Sequence, residues 1–119
     1  MTPVCAPDRF SLVLIKPTHY DDDGYLIQWF RSAIPSNTQA VMNGLALECK
    51  QRRVLGDNVD IVIQAYDETN TRIRTDRIAR QLAVTRSLVA LIGVQSNQFP
   101  RAMDIARRLR GAGAQVCLG

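Results

Sequence analysis

Four short apolar runs, rich in β-branched residues, alternate along the chain with three stretches whose apolar residues recur at helical spacing. Ser11-Leu-Val-Leu-Ile-Lys16 is the first run. It reads as a strand buried on both faces, closed by Pro17. Val59 to Ala65, Leu88 to Val94 and Gln115 to Leu118 are the other three.

The spacing predicts a helix from Thr38 to Leu55. Val41, Leu45 and Cys49, with Met42 and Ala46, form its apolar stripe. Ser36, Asn37 and Thr38 offer N-cap side chains, and Gly56 ends it. A second helix is predicted from Thr75, as N-cap, to Thr85, burying Ile78, Ala79, Leu82 and Ala83. A third opens at Pro100, a residue whose missing N–H costs nothing at the first helical position. Ala102, Ile105, Ala106 and Leu109 form its stripe, and Gly111 and Gly113 end it.

Continuous apolar strands separated by amphipathic helices specify an α/β fold, a parallel sheet covered on both faces. Right-handed crossovers leave few topologies. The expected fold is a Rossmann-like, three-layer, doubly wound sheet of order 2-1-3-4. Residues 1–10 are expected to be a flexible N-terminus and residues 11–119 the domain. The last strand has no helix after it, so the domain is expected to be incomplete at its C-terminus, with an uncovered strand edge that favours aggregation.

Length and composition narrow this little further. The chain has 119 residues, 46% apolar and 22% charged, the mix of one globular domain. No apolar run approaches the ~20 residues of a membrane span. No secretory pattern opens the chain, so the cytoplasm is the expected location. The formal charge is +4, and 13 of the 15 basic residues are Arg. The bases fall in three groups: Lys50, Arg52 and Arg53; Arg72, Arg74, Arg77 and Arg80; and Arg101, Arg107, Arg108 and Arg110. Each lies on or beside a predicted helix and reads as a solvated face. No nucleic-acid motif accompanies them. Cys5, Cys49 and Cys117 form neither a disulfide framework nor a zinc site. Cys49 and Cys117 are expected to pack as small hydrophobes, and Cys5 to lie in the loose N-terminus.

In open parallel sheets, ligands bind beyond the carboxyl ends of the strands where the strand order reverses. The segments converging there are Pro17–Asn37, Tyr66–Asn70, Gly93–Phe99 and the turn at Gly119. His19, the single histidine, reads either as a base or ligand or as a loop residue with no special role. Asp21, Asp22 and Asp23 suit a solvated turn ending at Gly24 better than a cation site, because consecutive residues do not easily face one ion. Tyr25, Trp29 and Phe30 could line a pocket or pack the loop. Gly93 permits close backbone approach, and Gln95, Ser96, Asn97 and Gln98 supply neutral donors and acceptors. Neither a G-x-G-x-x-G motif nor a P-loop is present, and no nucleophile elbow.

Lys16-Pro-Thr-His-Tyr-Asp-Asp-Asp-Gly-Tyr25, Ser32-Ala-Ile-Pro-Ser-Asn37, Tyr66-Asp-Glu-Thr-Asn70 and Gly93-Val-Gln-Ser-Asn-Gln-Phe-Pro-Arg101 together resemble the N-terminal cobalamin (B12)-binding domain of B12-dependent radical SAM proteins. The resemblance spans about Ser11 to Gly119. It implies a Rossmann-like domain holding cobalamin at the carboxyl edge, with His19, Tyr66, Gly93, Gln95, Ser96, Asn97, Gln98 and Gly119 as cofactor-binding residues. It also implies a partner, a radical SAM catalytic module in cis or in trans, with a [4Fe-4S] cluster and S-adenosylmethionine. That module would carry the radical or methyl-transfer chemistry. The Cys triplet for such a cluster is absent here, so the chain is not catalytic alone. Mutase-type cobalamin domains carry D-x-H-x-x-G, whose His ligates cobalt. Pro17 stands two residues before His19 and Gly24 five after it, so His19 is not assigned as a metal ligand. The alternative class is a non-catalytic receiver-like or flavodoxin-like signalling domain. A receiver wants an Asp ending the third strand, where Gly93-Val-Gln stands. A flavin carrier wants a phosphate loop after the first. A third alternative is a small stand-alone enzyme using His19 and Asp21 as acid and base.

Overall fold

Val13, Leu14 and Ile15 are fully buried, on alternating faces, at the centre of the first strand. That strand, β1 (Asp8–Lys16), therefore needs a layer on each side. The computed structural model, which describes residues 8–28 and 37–119, supplies both. β1 pairs in parallel with β2 (Val59–Asp67) on one side and β3 (Arg86–Leu91) on the other. β4 (Gln115–Leu118) adds to β3. The order is β2-β1-β3-β4, all parallel, as the apolar pattern predicts. Between the strands run α1 (Asn37–Gln51), α2 (Thr75–Leu82) and α3 (Phe99–Gly111).

The two faces of the sheet are unequal. On one, α2 and α3 close a core built on Val13, Ile15, Val89, Leu91, Ile105 and Leu109. The predicted stripe of α3, Ala102, Ile105, Ala106 and Leu109, is buried throughout. On the other face, α1 covers a small cluster of Leu14, Ala46, Ala90 and Ile92.

α1 corrects the sequence reading. Val41 and Leu45 are exposed, at 59% and 51%, and Cys49 is exposed too. Of the predicted stripe only Met42 and Ala46 turn inward, and Lys50 joins them. Lys50 fixes that rotation: its ammonium donates to Asp60 Oδ1 at 2.8 Å and to the Ile61 carbonyl at 2.7 Å. This contact holds Asp60's carboxyl below the usual carboxylate range, mainly through the hydrogen bond from Lys50. The helix also ends at Gln51 and not at Leu55. Arg53 takes a left-handed φ of 49° and Gly56 one of 120°, and the chain turns there into β2.

Cys117 is exposed as well, against expectation. It pairs with Ala90 in the register of β3 and β4, on the α1 side of the sheet, and α1 packs over β1 and β2. We expect both Cys49 and Cys117 to react with a thiol reagent in the native state. With Cys5 replaced by Ser, two thiols titrate without denaturant; titration of one or none refutes this packing.

Other boundaries shift modestly. β1 begins three residues before the predicted strand, β2 runs on through Tyr66 and Asp67, and α2 stops at Leu82, leaving Ala83 exposed beyond it. Thr75 is the first residue of α2 and does not cap it; its hydroxyl accepts from Arg108 Nη1 at 2.9 Å. No helix of the described residues is long and apolar enough to cross a membrane.

Candidate functional site

The strand order reverses between β1 and β3, and the segments leaving those strands flank the carboxyl edge there. Gly93 follows β3 with φ +62°, and a Cβ on it would lie 3.6 Å from the Thr38 side chain. That is an ordinary contact distance, so it is the left-handed φ, and not lack of room, that calls for glycine here. The Gly119 turn closes the other side: Gly119 N donates to the Leu91 carbonyl at 2.9 Å, and Val94 N to the Gly119 carbonyl at 3.1 Å.

The loop from Gln95 to Gln98 divides its labour. Gln98 is buried, and its side-chain oxygen accepts from Gln95 N at 2.9 Å while Gln98 N donates to the Gln95 carbonyl. It shapes the loop. Gln95, Ser96 and Asn97 are exposed and face outward as a set of neutral hydrogen-bonding groups. Sequence alone weighed all four equally.

His19 and Tyr66 sit apart from that set in role. His19 is half-buried, and its carbonyl accepts from Ile27 N at 3.0 Å. Tyr66 pairs with Ile15 in register and packs against the core on the α2–α3 face, its hydroxyl donating to Gln64 Oε1 at 3.3 Å. Asp21 builds a turn: its Oδ1 accepts from Asp23 N at 2.9 Å and Tyr25 N at 2.8 Å, and Gly24 takes φ +87°. The three aspartates form the solvated turn read from sequence. Tyr25 is exposed. Trp29, Phe30, Ser36 and Cys5 lie outside the described residues.

The residues that sequence reasoning missed are charged. Glu68, just past β2, is 1% exposed. Arg101, in the first turn of α3, meets it with two nitrogens: Nη2 donates to Oε2 at 2.6 Å and Nε to Oε1 at 3.0 Å. Glu68 Oε1 also accepts from Thr18 N at 3.2 Å. Arg101 lies over the Tyr20 ring, 5.9 Å from its centroid, and Tyr20 donates to Asp104 Oδ2. The segments after β1 and β2 and the start of α3 are thereby tied at one point. Burial alone pulls the Arg101 pKa down, but the hydrogen bonds to Glu68 and Tyr20 outweigh it and hold the guanidinium charged. Burial and the bond to Asp104 push the Tyr20 phenol above its ordinary value. Every ionised group in this cluster has a partner, so it positions the edge and leaves no free acid or base. The signal available in sequence was slight: an isolated Glu in a polar segment, and an Arg two places into a helix.

Comparison of the chain with protein-family models, with curated proteins and with solved structures returns no match. The geometry defines the class as an α/β, Rossmann-like domain. Among the described residues, no group of three or more His, Cys, Asp or Glu is arranged to hold a metal ion.

Proposed function

We propose that the chain is a cobalamin-binding module that serves a radical SAM catalytic module, in cis or in trans, in a cytoplasmic enzyme. The observation that carries this reading is the set of exposed neutral side chains at the switch-point edge. There Gly93 turns the chain with a left-handed φ beside the start of α1, and Gln95, Ser96 and Asn97 stand exposed after it. Neutral donors and acceptors match a large cofactor that carries amides of its own better than they match a polyphosphate. Gln95, Ser96 and Asn97 would hold the cofactor, with Gly93 and Gly119 giving it backbone to lie against. Gln98 and Tyr66 would act by shaping the edge, and His19 would border it. Cobalamin would supply the methyl-carrying or radical-supporting cobalt; this chain would bind and orient it and screen one face from water. The Glu68–Arg101 pair would keep the edge in one shape.

Mixing the purified chain with hydroxocobalamin, desalting and recording absorbance and circular dichroism tests the reading. Near-equimolar corrin retained on a folded chain, with a base-off spectrum, is expected. A folded chain that loses all corrin overturns it and leaves the receiver-like or flavodoxin-like signalling domain as the reading.

A further inference from the structure

Two of the basic groups that the sequence separates meet in space. Arg72 and Arg74, in the segment before α2, and Arg77 and Arg80, on α2 itself, line a cavity of about 370 Å³ together with Arg108 of α3. Asp76 is the one acid there. Of the chain's 15 basic and 11 acidic residues, five and one line this cavity; the remainder, ten of each, balance. The lining thus carries a formal excess equal to the chain's net charge of +4.

The arginines there are largely unspent. Arg108 donates to Thr75 Oγ1 at 2.9 Å and stands 3.7 Å from Asp76 Oδ1. The guanidinium groups of Arg72, Arg74, Arg77 and Arg80 have no hydrogen-bond or ion-pair partner among the described residues. Other cations of the chain are paired, Lys50 with Asp60, Arg86 with Asp8 and Arg101 with Glu68; nowhere else among the described residues do four without an ion pair line one cavity. Like charges three apart on one helix face, such as Arg77 and Arg80, oppose folding slightly. A concave site that concentrates them has no structural gain to offset that.

We propose that this cavity binds a compact anion bearing a diphosphate group. Guanidinium forks fit phosphoryl oxygens two at a time. One phosphate would leave much of the positive excess uncompensated, whereas two adjacent phosphoryl groups match it in charge. The source can be free pyrophosphate or the diphosphate of a nucleotide. The site is separate from the carboxyl-edge residues Gly93 to Gln98.

Calorimetric titration of the full chain at constant ionic strength tests this, with pyrophosphate, orthophosphate, ADP, adenosine and a short DNA duplex as probes. One equivalent of pyrophosphate is expected to bind, more tightly than orthophosphate, and adenosine not at all. ADP binding as well as pyrophosphate assigns the site to nucleotides, and pyrophosphate binding alone assigns it to the free anion. The Arg77→Gln/Arg80→Gln pair should weaken pyrophosphate binding by about tenfold or more, the scale of losing one charge-assisted hydrogen bond. The Arg52→Gln/Arg110→Gln pair, equal in charge and outside the cavity, should change it by less than about threefold. Both pairs are exposed positions, and circular dichroism checks that each variant is folded. Equal weakening by the two pairs, no binding of pyrophosphate to the folded chain, or binding of duplex DNA without binding of pyrophosphate overturns the proposal.

Discussion

Glu68→Gln is expected to lower stability by about 3–5 kcal/mol, the range for breaking a buried ion pair from one side. The carboxylate is almost wholly buried, and Arg101 is 16% exposed. Gln keeps an oxygen for Thr18 N, so that backbone bond survives. What disappears is the charge that compensates the Arg101 guanidinium, which then sits in a poorly solvated place with only the neutral amide and Tyr20 beside it. Against a typical total stability of about 5–15 kcal/mol, that is a large fraction of the whole. Replacing both partners, Glu68→Gln with Arg101→Met, should recover part of the loss, because the unpaired charge goes with them. Urea unfolding of wild type, both single variants and the double variant measures this. A loss below about 1 kcal/mol for Glu68→Gln, the scale of an exposed pair, would show that the pair is solvated and does not hold the edge.

Leu109→Ala is expected to cost about 2–5 kcal/mol. Leu109 is fully buried in the larger core, between α3 and the sheet. Removing its branched end loses the transfer free energy and leaves a cavity whose walls, Ile105 and the sheet residues among them, are fixed by their own packing. Met42→Ala, on the α1 face, is the informative contrast. Met42 is half-buried against a cluster with four buried members, so less apolar surface leaves contact and water can fill the space. Its cost should be well under half that of Leu109→Ala. Equal costs in urea unfolding would mean that the two faces share the stabilisation evenly, contrary to the packing described here.

The two variants also separate site from scaffold. α3 carries Arg101 at its start and Leu109 near its end. Anchoring Leu109 in the core fixes where Arg101 meets Glu68, and that pair ties down the segments after β1 and β2. Order at the carboxyl edge thus depends on packing about two helical turns away.

The strand order and the α3 stripe were legible in the sequence because each depends on a local period. A fully apolar run reports burial on both faces, and a 3.6-residue spacing reports one buried stripe. Gly93 and the Gln95–Gln98 segment were legible as a candidate site for a related reason: once the sheet is parallel, its carboxyl edge follows. α1 was half legible: the stripe read from sequence joined two adjacent apolar rows, of which Met42 and Ala46 are inward and Val41, Leu45 and Cys49 are not, and periodicity cannot choose between them. Lys50 reaching Asp60 and the Ile61 carbonyl chooses.

The amino-acid sequence by itself determined a parallel α/β sheet, the order of its strands and the edge at which a ligand would lie. The tertiary structure alone decided which charges are spent and which are free. It put Arg101, which reads like its neighbours on α3, onto a buried carboxylate, and it drew Arg108 into a cavity with four arginines from around α2. The physical reason is that burial patterns are written in near neighbours along the chain, whereas an ion pair or an uncompensated charge cluster depends on residues about 30 apart in sequence meeting in space, which only the packed fold arranges.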